Sequence, residues 1–497
     1  MKQAAFQARE ARAVEPRLAR SSDVVVLGGG MAGLATALAL KDSGLTVLIL
    51  ERDPQAQLDA PEHAFDNWDR KGVPQLQHTH IFLSRARKIL RDHHPELLAE
   101  LERAGMCKAT MSEILPPALV GVYVEREVDD DLLHLWGRRA TFEYVLRRHV
   151  ERLPHVQFAF GAKVERLQVQ SRGSQLQVSG VEIKRGGRSE LVTADYVIDA
   201  LGQHSKCVDE LREHGARIDT LLERSACAYY CRHYRAAGDT SPVRGGTATN
   251  IDYLIAGLFF AEQNTFSIAF TCADDDEALK ETLKNPAGFD GVCESIPSLA
   301  AWTRGAERLT RVLGGASLKN RWHSFETHPR RHVLGFFALG DSHIQTNPIY
   351  GRGCSMAFVQ AHALAAALAP EVDPLARARH YYSRVRRELK GHFEFCVSGD
   401  RTFIARVKRS RGVPLSATER WLLLGYDTLP PTVDSDPAVA REWLKLQQML
   451  EPSPPWVTLT TLLRIGSGVI KKRVLRRAPP TVPSGPDRAA LVQRLRR

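Results

Sequence analysis

Asp23-Val24-Val25-Val26-Leu27-Gly28-Gly29-Gly30-Met31-Ala32-Gly33 opens the stretch that decides the fold, which continues through an Ala/Leu-rich run to Gly44 and closes on Val47-Leu48-Ile49-Leu50-Glu51-Arg52. The apolar run Val24 to Leu27 reads as a buried parallel strand, the glycines as a tight turn, and the Ala/Leu run as a helix leading to a second buried strand that ends in an acid. This is the pattern of a βαβ unit built to hold a dinucleotide.

Each glycine has its own mechanical reason. Gly28 permits the turn, Gly30 lets backbone approach a pyrophosphate with no Cβ in the way, and Gly33 allows the helix to pack closely on the strand. The pyrophosphate then lies on the helix N-terminus, where free N–H groups and the positive end of the dipole favour anions. Glu51 is placed to accept hydrogen bonds from a ribose. A Gly-rich surface turn is the plainer alternative, and the strand before, the helix after and the terminal acid argue against it. The pattern alone does not separate NAD from FAD.

With 497 residues, 43% hydrophobic and 25% charged, the chain is long enough for two or three lobes and is not of disordered composition. No window of about 18 uninterrupted apolar residues marks a membrane span. Met1 to Arg20 lacks an apolar core segment and reads as a flexible leader rather than a signal peptide. Eight cysteines in so long a chain do not make a disulfide scaffold, and Cys227-x-x-x-Cys231 has no matching second pair for zinc. All eight are read as reduced thiols, which suits a cytoplasmic protein.

The net charge of +11 is uneven: Arg464 to Arg497 carries ten basic residues against one acid, Asp487, so the remainder is close to neutral. Between Val457 and Arg477 basic and aliphatic residues interleave, a pattern suited to peripheral contact with an anionic membrane or to an acidic partner. A solvated helix packed on the body is the plainer reading. Nucleic acid is not expected, because the chain has no nucleic-acid-binding motif and the basic cluster lacks interleaved aromatics.

Further along, Arg70-Lys71-Gly72-Val73-Pro74-Gln75-Leu76-Gln77-His78-Thr79-His80 precedes an amphipathic helix reaching about Gly105. His78 and His80 share a face if extended, but no third ligand lies nearby, so a structural or cofactor-side role is preferred to a metal. Leu119 to Leu135 alternates as strands do. Arg138 and Arg139 enter the first turn of the next helix, where cations oppose the dipole, which suggests a phosphate; solvated surface charges are the alternative. Val156 to Lys184 reads as short strands about a turn at Ser171 to Ser174, and Ala194 to Asp199 as a buried strand leading into Gly202. Cys227 to Thr271, rich in Tyr and Phe, reads as a mostly antiparallel sheet whose aromatics either line an apolar pocket or form plain core. Gly335 to Ala357 is a strand ending in Gly340-Asp341, a Pro/Gly-rich loop from Pro348 to Gly353, and an Ala-rich helix. The acid suits a polyol and the helix N-terminus a negative charge on a ring. Beyond Asp373 the chain reads as helical, with Pro-rich breaks at Leu429-Pro430-Pro431 and Pro452 to Pro455.

Taken together, Asp23 to Leu368 resembles the FAD-dependent monooxygenase superfamily with the para-hydroxybenzoate hydroxylase fold, and within it the flavin epoxidases of polyether polyketide pathways. The motifs that carry this are the Gly-x-Gly-x-x-Gly/Glu51 unit, Arg70 to His80, Arg139, Asp199-Ala-x-Gly-x-x-Ser205, and Gly340 to Ser355. The resemblance implies an α/β (α+β) fold: a Rossmann-like FAD-binding domain, an inserted mostly antiparallel substrate domain and a helical C-terminal region. After a leader (1–20), FAD-binding segments would span 21–115, 135–220 and 318–380, substrate-domain segments 116–134 and 221–317, and the helical region with its basic tail 381–497.

It also implies cofactor contacts. Gly28, Gly30 and Gly33, with Met31 and Ala32, would hold the pyrophosphate; Glu51, with Arg52, the adenosine ribose; Arg139 the phosphate region; Asp341 the ribityl hydroxyls. Pro348, Gly351, Gly353 and Cys354 would face the isoalloxazine. Leu201 stands where threonine is usual and Cys354 where methionine is common, and the Trp-x-Trp-x-Ile-Pro mark of many flavin halogenases is absent. The implied chemistry is insertion of one oxygen atom from O2, by epoxidation or hydroxylation through a flavin C4a-hydroperoxide, into a hydrophobic polyketide- or isoprenoid-like substrate, with NADPH or NADH as electron source, directly or through a separate flavin reductase. No catalytic side chain and no metal are implied. Flavin dehydrogenation, double-bond reduction, halogenation and non-catalytic FAD binding remain alternatives on the same scaffold.

Overall fold

The computed structural model describes residues 21–238, 248–316, 318–325, 332–369, 372–451 and 485–495. The proposed leader and the basic segment Val457 to Arg477 lie outside them. The stretch from Asp23 to Arg52 forms strand β1 (Ser21–Leu27), helix α1 (Met31–Ala39) and strand β2 (Val47–Glu51). β1 and β2 run parallel, with Val24 opposite Val47 and Leu27 opposite Leu50. Their apolar residues are fully buried, as a parallel sheet covered on both faces requires.

β2 continues the sheet to Val156–Phe160, and β1 pairs on its other side with Arg188–Asp199. The latter closes an antiparallel meander with Lys163–Arg172 and Gln175–Arg185. His332–Leu334 and Phe336–Ala338 then return, parallel, to the meander's last two strands. Their return brings two distant motifs together: the Asp199 carbonyl accepts from Leu339 N at 2.9 Å and from Ser342 Oγ at 2.6 Å.

The second sheet is antiparallel and has six strands, with Leu254–Ala261, Thr265–Ala273 and Cys227–Arg235 at its centre. The period of two divides its residues. Tyr230, Tyr234, Phe260, Phe266 and Phe270 are core, packed against helices Glu277–Lys284, Pro286–Ser295 and Pro297–Thr303. Of the aromatics read as a possible pocket wall, Tyr229 and Phe259 occupy the other face, so most of that signal was core.

Two readings are corrected. Leu119 to Leu135 does not form strands; it holds two 3-10 turns and one strand residue, Leu135. Gly121 takes φ +82°, the acids Asp129 and Asp130 face Arg441 and Arg87, and the segment packs on the C-terminal helices through Leu119, Tyr123 and Leu132. The chain also does not break at Pro430-Pro431: the helix runs Ala417–Val433 through both prolines, each of which gives up one backbone N–H, and it ends two residues after the second. The other C-terminal helices are Pro374–Ser410, of 37 residues, Pro437–Gln447 and Arg488–Leu495. The last docks Leu491 into the second domain's core and pairs Arg488 with Asp276 at 2.6 Å. All eight cysteines are free thiols, and no metal-binding group occurs among the described residues. No described helix is long and apolar enough to cross a membrane.

Candidate functional site

The three glycines of the turn differ in what a side chain would meet. Gly28 has φ +101°, and a Cβ there would stand 2.7 Å from the Ala200 carbonyl oxygen. A Cβ on Gly33 would overlap the Gly28 carbonyl and meet Val26 Cγ1 at 3.1 Å. On Gly30 it would meet nothing within 4 Å. Gly30 is therefore where α1 opens onto free space. The helix has no acid in its first turn and no side chain bonded to its N-cap, so its leading N–H groups are available to an anion. Met31 is buried at its first position, and Ala32 faces Gly340, which has φ +61°.

Asp341 follows Gly340 and is half-buried beside that turn. Its carboxylate has no hydrogen-bond or ion-pair partner among the described residues, and burial raises its pKa against the pull of Arg139 and Arg321. Arg321 donates to the Asp341 carbonyl at 2.8 Å while its buried Nε has no partner. The loop then turns through Pro348–Tyr350 and Gly351 (φ +64°), where a Cβ would meet Ile81 Cγ2 at 2.5 Å. Helix Gly353–Leu368 begins at once, again with no acid in its first turn and no side-chain cap. A Cβ on Gly353 would meet nothing within 4 Å. Cys354 is buried, and burial pushes its thiol up to about 11. This helix packs on α1, so two uncapped helix N-termini, each opened by a glycine, lie in one region with an unpaired carboxylate.

Arg139 is partly buried and pairs with Glu143 at 3.2 Å; Asp341 and Cys354 also act on its charge. Arg138 does not serve the same place. It pairs with Glu262 at 2.6 Å, and that carboxylate also accepts from the Arg138 N–H and from Thr141 Oγ. Glu262 thereby supplies the negative charge that the helix N-terminus lacked in sequence.

Glu51 stands at the end of β2 as anticipated, but already inside a buried ion network. Its Oε1 accepts from Asp53 N at 2.9 Å and its Oε2 from Arg70 Nη2 at 3.0 Å and Arg147 Nη2 at 3.4 Å. Arg70, itself 6% exposed, also pairs with Asp53 and Glu143, at 3.2 and 2.8 Å. Arg147 further holds the Gly29 carbonyl at 2.5 Å, tying the glycine turn to the network. A ribose here would join a bonded set rather than meet a free carboxylate. Arg52 turns outward to the Lys71 carbonyl.

Glu143 and Arg147 were not singled out from sequence, and Arg70 was quoted only as the start of a motif, with no role. The signal was present as Arg139, Glu143 and Arg147 at intervals of four, which one helix face must bring together.

His78 and His80 connect this region to the second sheet. His80 bonds the His78 carbonyl through Nδ1 at 2.8 Å, and its Nε2 accepts from Arg139 at 3.1 Å. His78 Nδ1 meets the Tyr229 hydroxyl, and Thr79 bonds Ser267 at 2.9 Å. Burial lowers both imidazole pKa values, His78 to about 4. The sheet face they reach carries Tyr229, Cys231 and His233 across from Thr271, Ala269 and Ser267, with Gly257 and Phe259 on the next strand. Cys231, His233, Ser267 and Thr271 on this face are buried, Phe259 lies against Gly257, and Tyr229, Ala269, Gly257 and Phe259 remain partly exposed.

Residues 23–227 match a family model described as an FAD binding domain. No curated protein sequence matches the chain. Among solved structures, the flavin-dependent brominase Bmp2 is similar at TM-score 0.60 and 17% identity, over 92% of this chain and 100% of that one. PqsL, a probable FAD-dependent monooxygenase from Pseudomonas aeruginosa, is similar at TM-score 0.57 and 16% identity, over 78% and 96%. OxyS, an anhydrotetracycline hydroxylase from Streptomyces rimosus, gives 0.56 and 16%, over 86% and 76%. The chain thus carries an FAD binding domain within the fold shared by these flavoproteins.

Proposed function

We propose that this chain is an FAD-dependent monooxygenase that places one oxygen atom, by epoxidation or hydroxylation, on a hydrophobic substrate. One observation carries the cofactor assignment: Gly30 and Gly353 open two uncapped helix N-termini onto free space, with the unpartnered Asp341 carboxylate in the same region. A dinucleotide with a polyol arm needs such a set, since its pyrophosphate wants N–H groups and its ribityl hydroxyls an acceptor. FAD bound there would supply the redox chemistry, taking electrons from NADPH or NADH, directly or through a separate reductase, and activating O2 once reduced.

The chain's own residues bind and orient. Asp341 accepts from the ribityl hydroxyls, and Arg139 and the α1 N-terminus balance the phosphates. The Gly353 helix dipole offsets charge on the ring's pyrimidine side. The partly exposed residues of that sheet face, Tyr229, Gly257, Phe259 and Ala269, would hold an apolar substrate on the far side, with His78 joining them to Arg139 through His80. The polyketide- or isoprenoid-like substrate class rests on the sequence motifs alone.

The test is oxygen consumption by the FAD-loaded, reduced protein with apolar alkenes and aromatics. Product carrying one oxygen atom derived from O2 supports the reading. Turnover that consumes no O2 indicates dehydrogenation or reduction instead, and product that forms only with added bromide or chloride indicates halogenation.

A further inference from the structure

We propose that Asp400, on helix Pro374–Ser410 and outside the matched FAD binding domain, is the positioning residue for the loop that faces the flavin ring. The inference rests on the flavin site proposed above. His392, Cys396 and Asp400 recur every fourth residue, so they form one stripe along this helix, and all three are buried. Each grips the segment between Thr346 and Arg352. His392 Nδ1 accepts from Arg352 Nη1 at 3.0 Å. The Cys396 thiol interacts with Thr346 and Arg352. Asp400 Oδ1 accepts from Asn347 Nδ2 at 2.7 Å and from the Tyr350 hydroxyl at 3.0 Å, and its Oδ2 accepts from Asn320 Nδ2 at 2.7 Å.

The bonds run on into the loop backbone. Asn320 Oδ1 accepts from Asn347 N at 2.8 Å, and Asn347 Oδ1 accepts from Ile349 N at 3.2 Å. Asp400 therefore fixes both faces of the turn that delivers Gly351 and Gly353. Gly399 leaves no room for a side chain against the Tyr350 ring, so loop and helix are in direct contact.

The composition of the site argues for position rather than stability. Asp400 is 3% exposed and has three neutral donors but no ion-pair partner among the described residues. A buried carboxylate without a cation costs free energy that an apolar residue would not. What only a carboxylate provides here is two oxygens that accept from three donors at once. It also leaves a negative charge behind the loop, while the buried Arg352 guanidinium stands at the other end of the stripe over the Phe395 ring, at 4.4 Å.

Two variants test this in the full chain, Asp400→Asn and Tyr350→Phe, each compared with wild type for FAD affinity, flavin absorbance and fluorescence, and flavin midpoint potential. An amide at 400 cannot accept from all three donors and removes the charge. Asp400→Asn is expected to weaken FAD at least tenfold, alter the flavin bands and move the potential positive, because the reduced anion loses a negative neighbour. Tyr350→Phe removes one donor but keeps the charge, so it should weaken FAD and alter the flavin bands to a smaller extent without the positive shift in potential. If Asp400→Asn does not fold, Tyr350→Phe decides by affinity and flavin bands. Wild-type affinity, spectrum and potential in the folded variants would overturn the proposal. Failure of the site reading itself is distinguishable, because then wild-type protein takes up no FAD.

Discussion

Gly340 and Ala32, far apart in sequence, touch: a Cβ on Gly340 would stand 2.8 Å from the Cβ of Ala32. The turn after strand Phe336–Ala338 is thus fitted against the first turn of α1, which sets Asp341 beside the helix terminus proposed to take the pyrophosphate. Gly340→Ala combines a close contact with a left-handed backbone (φ +61°), a cost of roughly 1–3 kcal/mol. It is expected to lower the melting temperature and weaken FAD together, and both are read from thermal melts with and without FAD.

Gly30 and Gly33 should separate binding from folding. Gly30→Val adds side chain to open space at φ −86°, so the apoprotein should melt as wild type does while FAD binding is lost. Gly33→Val drives atoms into the Gly28 carbonyl and should destabilise the apoprotein itself. Equal melting of the two variants would contradict the assigned roles.

Arg70 pairs with three carboxylates in one buried network, so removing it leaves uncompensated charge. Arg70→Met should cost roughly 3–5 kcal/mol of stability, measured by urea unfolding. A change below about 1 kcal/mol would mean that the network is open to water in solution.

Stability should fall on acidification below neutrality. Burial lowers the pKa of six buried histidines: His94, His134, His233, His323 and His392 to about 3, and His343 to about 4. The unfolded chain takes up these protons near 6.5 and the native chain does not, so stability declines as pH drops from 6.5 towards 4. Asp199 and Asp400, raised by burial to about 6, act oppositely: the native chain holds their protons up to that pH, and their contribution is lost as pH rises through it. Six groups outweigh two. Each net proton contributes about 1.4 kcal/mol per pH unit, and melting temperatures between pH 7 and 5 should decrease steadily.

The first domain was legible because its signals are local. Val24 to Leu27, the glycine spacing and Val47 to Glu51 are determined by neighbours in sequence. The Gly340-Asp341 turn was legible for the same reason. What escaped depends on partners far away in the chain. Nothing beside Arg138 shows that Glu262 will cap its helix, and nothing beside Asn347 shows that Asp400 will hold it. Likewise, alternation marks Cys227 to Thr271 as strands, but which face is core was settled by the three helices that follow. In Leu119 to Leu135 alternation misled, because Gly121 and the paired acids make turns that cover another helix pair.

The most direct measurement is equilibrium titration of the apoprotein with FAD, followed by flavin absorbance and fluorescence, for wild type and Asp341→Ala. The Asp341 carboxylate has no hydrogen-bond or ion-pair partner among the described residues, so the variant should fold and melt like wild type or slightly higher, since burial already penalises its charge. The account predicts one FAD per wild-type chain and binding at least tenfold weaker in Asp341→Ala. Wild-type protein that takes up no FAD, or a variant that retains full affinity, would contradict it.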